Sequence, residues 1–68
     1  METSARNQLK GTVTSVLMGA VMAEVTVDVM GVPVVAAITK DSAERLGLAE
    51  GKSVSAIIKA TDVMIGIE

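Results

Sequence analysis

The chain has 68 residues, half of them apolar, with a formal net charge of −2 and no cysteine, histidine or aromatic residue. A chain of this length forms one domain, residues 1–68, and without disulfides it needs self-association to bury enough apolar surface. The missing histidines and cysteines exclude imidazole and thiolate catalysis and the usual zinc and copper ligands.

The predicted elements are strands around one short helix. Residues 11–17 are rich in β-branched types and predict a first strand. Apolar and polar residues alternate over residues 21–29, which is the clearest strand pattern in the chain. Residues 32–38 form a third apolar run, and the early Pro33 favours a strand that begins at a sheet edge.

Residues 39–48 predict the helix, with Thr39 or Asp41 as its N-cap and Gly47 just past its end. Residues 53–59 alternate again, and residues 63–67 predict a last short strand. Three strands, a short helix and two strands match a mainly β fold, a small five-stranded Greek-key barrel of the OB type. An SH3-like barrel is the alternative.

Several function classes are disfavoured. The chain has no stretch of about twenty apolar residues and no signal-peptide pattern, so we expect a cytoplasmic protein with no membrane partner. The acidic balance and the lack of aromatic side chains count against a nucleic-acid-binding barrel. The carboxylates form no close pair and no phosphate-binding glycine motif is present, so we expect no enzyme activity.

What remains is a set of hydrogen-bond donors that suits a multiply charged oxyanion. Taken singly, these residues also fit plain helix caps and surface charges, so an oligomeric structural or interaction module without a ligand stays open. The donors are Ser4, Arg6 and Asn7 before the first strand, Thr39 and Ser42 at the helix start, and Lys59 and Thr61 after the fourth strand.

The opening stretch, TSARNQLKG at residues 3–11, resembles the first motif of the molbindins, the small Mop-domain proteins that bind molybdate. Residues 37–42 and 46–48 resemble the helix segment of that family. Residues 50–52 and 57–65 resemble its closing half. The resemblance covers essentially the whole chain.

This resemblance implies an OB-like barrel in a homohexamer, a trimer of dimers with strand exchange between paired subunits. It implies molybdate or tungstate as the bound ligand, with no organic cofactor and no direct metal-cation ligands. The implied role is intracellular binding, storage or buffering of the oxyanion. The implied oxyanion site combines Ser4, Ala5, Arg6, Lys59 and the backbone N–H of Ala60 from one subunit with Thr39 and Ser42 from a neighbour.

The chemistry of that donor set agrees with such a ligand. Molybdate, tungstate and sulfate carry no proton at neutral pH, so a pocket of donors alone satisfies them. Phosphate is partly protonated and needs an acceptor, and a buried polar group without a partner costs about 1–3 kcal/mol. Sulfate is smaller, so only the size of the pocket separates it from molybdate.

Overall fold

The computed structural model describes residues 1–68 and is mainly β with one short α-helix, as predicted. The elements are β1 (Asn7–Met18), β2 (Met22–Val29), β3 (Val32–Thr39), α1 (Lys40–Arg45), β4 (Ser53–Ile58) and a 3-10 turn (Ala60–Asp62). The four strands form one antiparallel sheet in the order β3-β2-β1-β4. The helix lies between β3 and β4 along the chain, and the 3-10 turn follows β4.

Strand β1 organises the sheet because its two halves pair with different neighbours. Its first half pairs with β4, from Asn7 opposite Ile58 onward, and its second half pairs with β2 as far as Met18 opposite Ala23. The register shifts between Val13 and Ser15, which is typical of a β-bulge and bends the strand. This strand begins four residues earlier than the β-branched pattern predicted, because pairing with β4 also orders the more polar residues 7–10.

The predicted fifth strand is wrong for this chain. Residues 63–68 lie in no strand and are exposed, with Met64 at 92% and Ile67 at 95%. Residues 63–67 are a short, mostly apolar run, but neither free sheet edge, β3 or β4, pairs with them. The five-stranded barrel is therefore a four-stranded sheet here.

The ends of the other elements also differ slightly from prediction. The helix stops at Arg45 instead of residue 48, and Gly47 adopts a positive φ of 63° just beyond it, as its position predicted. Thr39, not Asp41, is the N-cap. Val21 lies in the turn before β2 and is 71% exposed, so it is not part of the inward face.

The core is small, with five of 68 residues buried. Val13, Val25 and Val27 form its centre, and because Val25 and Val27 are alternate residues of β2, the alternation predicted for that strand is confirmed there. By contrast, 14 large apolar side chains are exposed. A core of this size agrees with the expectation that the chain alone leaves much apolar surface uncovered. Partly buried side chains pack against the centre: Val16, Val29, Ile38, Leu48 and Val54.

The two main clefts of the surface bear on where a ligand can sit. One is an apolar groove between β3 and β4, and the other lies beside β1 and β4. Neither cleft includes any of the site residues predicted from the sequence. None of the helices has the length and apolarity that a membrane crossing needs.

Candidate functional site

Arg6 and Lys59 flank the end of the β1–β4 ladder. The last pair of that ladder is Asn7 opposite Ile58, and Arg6 and Lys59 are the next residue on each segment. The register, extended by one residue, would set the backbones of these two cationic residues opposite each other. Both are exposed, so a ligand can reach them.

Arg6 and Lys59 are two positive charges without a carboxylate partner. The one ion pair of the chain joins Lys40 and Glu44, at 4.0 Å, so no carboxylate pairs with Arg6 or Lys59. Like charges directly opposite each other across two strands are destabilising. An anion between the two cations would relieve that repulsion.

The residues before Arg6 are held by local hydrogen bonds. The N–H of Ala5 donates to the hydroxyl oxygen of Thr3 at 3.2 Å, and the amide of Gln8 donates to the Ala5 carbonyl at 3.4 Å. The N–H that Ala5 would offer to a ligand is therefore already engaged, although with an exposed and displaceable partner. Ser4 is exposed, and its hydroxyl makes no hydrogen bond within the chain.

Backbone donors follow Lys59 directly. Lys59 caps the 3-10 turn with extended backbone angles, and its side chain does not bond to the turn. The N–H of Asp62 donates to the Lys59 carbonyl at 2.9 Å, which closes the turn. The N–H groups of Ala60 and Thr61 open the turn, so they have no acceptor within it. The predicted donor, the N–H of Ala60, thus directly follows Lys59 in the chain.

Thr39 and Ser42 form the second group of predicted residues. The Thr39 hydroxyl oxygen accepts from the Ser42 N–H at 3.1 Å and donates to the Ser42 hydroxyl oxygen at 2.8 Å. The guanidinium of Arg45 also donates to that Ser42 oxygen, at 3.5 Å. Because Ser42 Oγ accepts twice, its own hydrogen is free to point outward as a donor.

The two groups do not meet within one chain. Thr39 pairs with Met22, beside the end of β1 at Met18, whereas Lys59 follows the pair at the other end of β1. The structure therefore brings Ser4, Ala5, Arg6, Lys59 and Ala60 to one end of β1 and Thr39 with Ser42 to the other.

Sequence reasoning missed the roles of three residues at these places. Thr3 occupies the N–H of Ala5, Asn7 ties the two segments together through the Ile58 carbonyl, and Arg45 reaches Ser42. Only the contact between Arg45 and Ser42 could have been predicted from the sequence, because residues three apart on a helix are neighbours. Asn7 was expected as a free donor, and it donates inside the chain instead.

Comparison with known proteins assigns the family. The model of the TOBE domain matches residues 3–65. This chain belongs to the TOBE domain family. A relative from Clostridium pasteurianum, named molybdenum-pterin-binding protein 3, is 52% identical over 66 residues, which cover 96% of this chain and 97% of that protein. The resemblance to the Mop-domain proteins is thereby confirmed.

Solved structures of TOBE domain relatives agree with the fold. A molybdate-binding protein from Sporomusa ovata is 42% identical, covers 98% of this chain and 100% of its own, and superposes with a TM-score of 0.94. The cytoplasmic molybdate-binding protein ModG, solved with molybdate bound, is 43% identical with a TM-score of 0.94. This chain is matched in full and spans 49% of ModG.

Proposed function

We propose that this chain binds molybdate or tungstate in the cytoplasm and stores or buffers the ion. The observation that carries the proposal is the unpaired couple of Arg6 and Lys59 at the end of the β1–β4 ladder. Two cations without a carboxylate partner match the charge of a dianion. The names of the relatives, molybdenum-pterin-binding and molybdate-binding proteins, support the identity of the ion.

The proposed ligand shell contains donors and no carboxylate. Arg6 supplies a fork of N–H groups and Lys59 an ammonium, and both make charge-assisted hydrogen bonds. Backbone N–H groups of Ala60 and, after Thr3 moves away, of Ala5 add neutral donors. The hydroxyl of Ser4 adds another. Such a shell favours an oxyanion that carries no proton.

The complete site is proposed to form between two copies of the chain. Thr39 and Ser42 lie at the far end of β1 from Arg6, so a neighbouring subunit has to bring them to the oxyanion. The exposed apolar side chains support self-association, because monomeric proteins seldom leave so many uncovered. The resemblance to the Mop-domain proteins implies the form of that assembly, and we propose a homohexamer, a trimer of dimers, of single-domain chains over residues 1–68.

We further propose that the chain is not an enzyme and uses no organic cofactor, nucleic acid or membrane partner. The name of the Clostridium relative includes pterin, but this chain has no aromatic side chain on which a planar ring could stack. The second candidate is an oligomeric interaction module without a ligand. The exposed apolar surface favours that role equally, and it predicts no saturable anion binding.

Isothermal titration of the purified chain distinguishes the two candidates. Molybdate, tungstate, sulfate and phosphate are titrated at fixed pH in low and high KCl. We expect saturable heat for the first two ions, weaker or no heat for the others, and lower affinity at high salt because salt screens the exposed cations. Absence of heat with every ion would contradict the oxyanion-binding role and favour the interaction module without a ligand.

Native mass spectrometry of the same samples tests the assembly. We expect six chains per particle and up to six interface ions retained after molybdate addition. A monomer that still binds molybdate would overturn the shared site, since Thr39 and Ser42 would then have no neighbour to come from.

A further inference from the structure

Asn7 makes the only side-chain hydrogen bond that joins the two segments carrying Arg6 and Lys59. Its amide nitrogen donates to the carbonyl of Ile58 at 3.1 Å. The same two residues are the last pair of the β1–β4 ladder. Asn7 is half-buried, so this bond is partly shielded from competing water.

The choice of asparagine at this position needs an explanation. Asparagine is depleted in strands, and the neighbouring inward position of β1, Leu9, is apolar. Strand ends fray when little holds them. Here the next residues outward are two like charges, which push the segments apart. A side-chain bond across the last pair resists that separation.

We propose that Asn7 is a positioning residue that holds Arg6 and Lys59 at a spacing from which both contact one dianion. This inference rests on the proposed function and adds one residue that helps to set the affinity of the proposed site for the oxyanion. Asn7 itself does not touch the ligand, because its amide already donates to Ile58 and its side chain lies on the inward side of β1. Asn7 contributes to the affinity for the dianion only by positioning Arg6 and Lys59.

A double-mutant cycle tests this role. Asn7→Leu keeps the approximate size and removes the donor, and Lys59→Gln removes one of the two cations. In the otherwise wild-type chain, we expect Asn7→Leu to weaken molybdate binding about five- to tenfold, as the loss of one hydrogen bond does. In the Lys59→Gln background, we expect less than about a twofold effect. If Asn7→Leu does not fold, Asn7→Ala replaces it.

Leu9→Ala is the matched control. Leu9 is half-buried on the same strand and faces the same side as Asn7. The variant therefore weakens the packing of the β1–β4 pair but keeps the Asn7–Ile58 hydrogen bond. We expect it to lower the melting temperature and to leave the molybdate affinity unchanged. Equal losses for Asn7→Leu in both backgrounds, or no loss in either, would overturn the positioning role.

A measurement without any oxyanion separates this inference from the proposed function. We expect the melting temperature of Asn7→Leu to fall less at low KCl than at high KCl, because a strand end freed from the Asn7–Ile58 bond can fray and relieve the repulsion between Arg6 and Lys59, which is strongest at low salt. Leu9→Ala should lose the same amount at both. A salt-independent loss for Asn7→Leu would overturn the tie. A wild-type chain that binds no oxyanion would overturn the proposed function. The melting temperatures would still test the role of the Asn7–Ile58 hydrogen bond, because they are measured without any oxyanion.

Discussion

Thr39 and Ser42 share two hydrogen bonds at the start of α1, and these bonds give the two hydroxyls different roles. Thr39 accepts from the Ser42 backbone and donates to the Ser42 hydroxyl, so both functions of its hydroxyl are used within the chain. Ser42 keeps a free hydrogen. In the proposed site, Ser42 is therefore the direct donor of this pair, and Thr39 orients it.

This difference predicts an order of effects on molybdate affinity. Arg6→Ala removes a charge-assisted contact and should weaken binding by about 1.5–3 kcal/mol, roughly ten- to 150-fold. Thr39→Ala removes a neutral hydroxyl and should weaken binding by about 0.5–1.5 kcal/mol. It should also lower stability by about 1 kcal/mol, because the N-cap is lost. Titration calorimetry and thermal unfolding measure both quantities.

Lys10→Ala is the control for charge alone. Lys10 is an exposed cation on β1, outside the proposed shell, and the variant changes the net charge as Arg6→Ala does. We expect less than about a threefold change in affinity, the size of a screened surface charge effect. Equal and small losses for Arg6→Ala and Thr39→Ala would contradict the proposed shell.

The bond between Thr3 and Ala5 leads to a variant that should bind more tightly. The Thr3 hydroxyl accepts the Ala5 N–H that the proposed site offers to the oxyanion, so a ligand first has to displace it. Thr3→Val keeps the shape and removes the acceptor. We expect molybdate affinity to rise about two- to fivefold, a fraction of one hydrogen bond.

The control for this variant is Thr12→Val, at an exposed β1 position away from the proposed shell, which should leave the affinity unchanged. The affinities come from titration at one salt concentration. A loss of affinity in Thr3→Val would contradict the displacement and assign the Thr3 hydroxyl to the ligand instead.

The sequence predicted the strands well where their pattern and their packing agree. The alternation over β2 matches its buried Ala23, Val25 and Val27, because one face of that strand meets the core. Residues 63–67 are also rich in apolar and β-branched side chains, yet no edge in this chain pairs with them. Periodicity shows which side chains would face a core, and it carries no information on which strand edge is available.

The residues of the candidate site could be proposed from the sequence, but the hydrogen bonds among them could not. Arg6 and Lys59 were expected both as donors and from the resemblance, and the β1–β4 ladder ends immediately beside them. The ties made by Asn7 and Thr3 had no pattern in the sequence, because each joins a side chain to a backbone group that only the fold brings near. The alternation of apolar residues that predicts the strands gives no information on either hydrogen bond.

Ligand binding between subunits should stabilise the assembly. A ligand that binds only the folded oligomer adds about 2.7 kcal/mol per site when its concentration is 100 times the dissociation constant. We expect the melting temperature of the wild-type chain to rise with molybdate concentration, and that of Arg6→Ala to rise much less. A differential scanning calorimeter measures both series at fixed protein concentration, with sulfate as the matched anion. An equal rise with sulfate would indicate a general salt effect instead of a site.

Gly11 lies next to the point at which β1 passes from its pairing with β4 to its pairing with β2. A Cβ atom on Gly11 would lie 2.4 Å from the Asp28 carbonyl oxygen and 2.7 Å from a Val27 methyl group. Gly11→Ala therefore forces backbone and core to move, and overpacking of this kind costs about 1–3 kcal/mol. For a domain of this size, each kcal/mol lowers the melting temperature by about 4–8 °C.

Gly66→Ala is the matched control, because nothing lies within 4 Å of the Cβ atom it would add. We expect its melting temperature in the ligand-free chain to stay within about 2 °C of wild type, as for an exposed surface substitution. Because Gly11 packs against the end of β2, its substitution also displaces the strand that carries Asn7 and Arg6, so molybdate affinity should fall together with stability. A Gly11→Ala chain as stable as wild type would show that β1 and β2 do not approach so closely in solution.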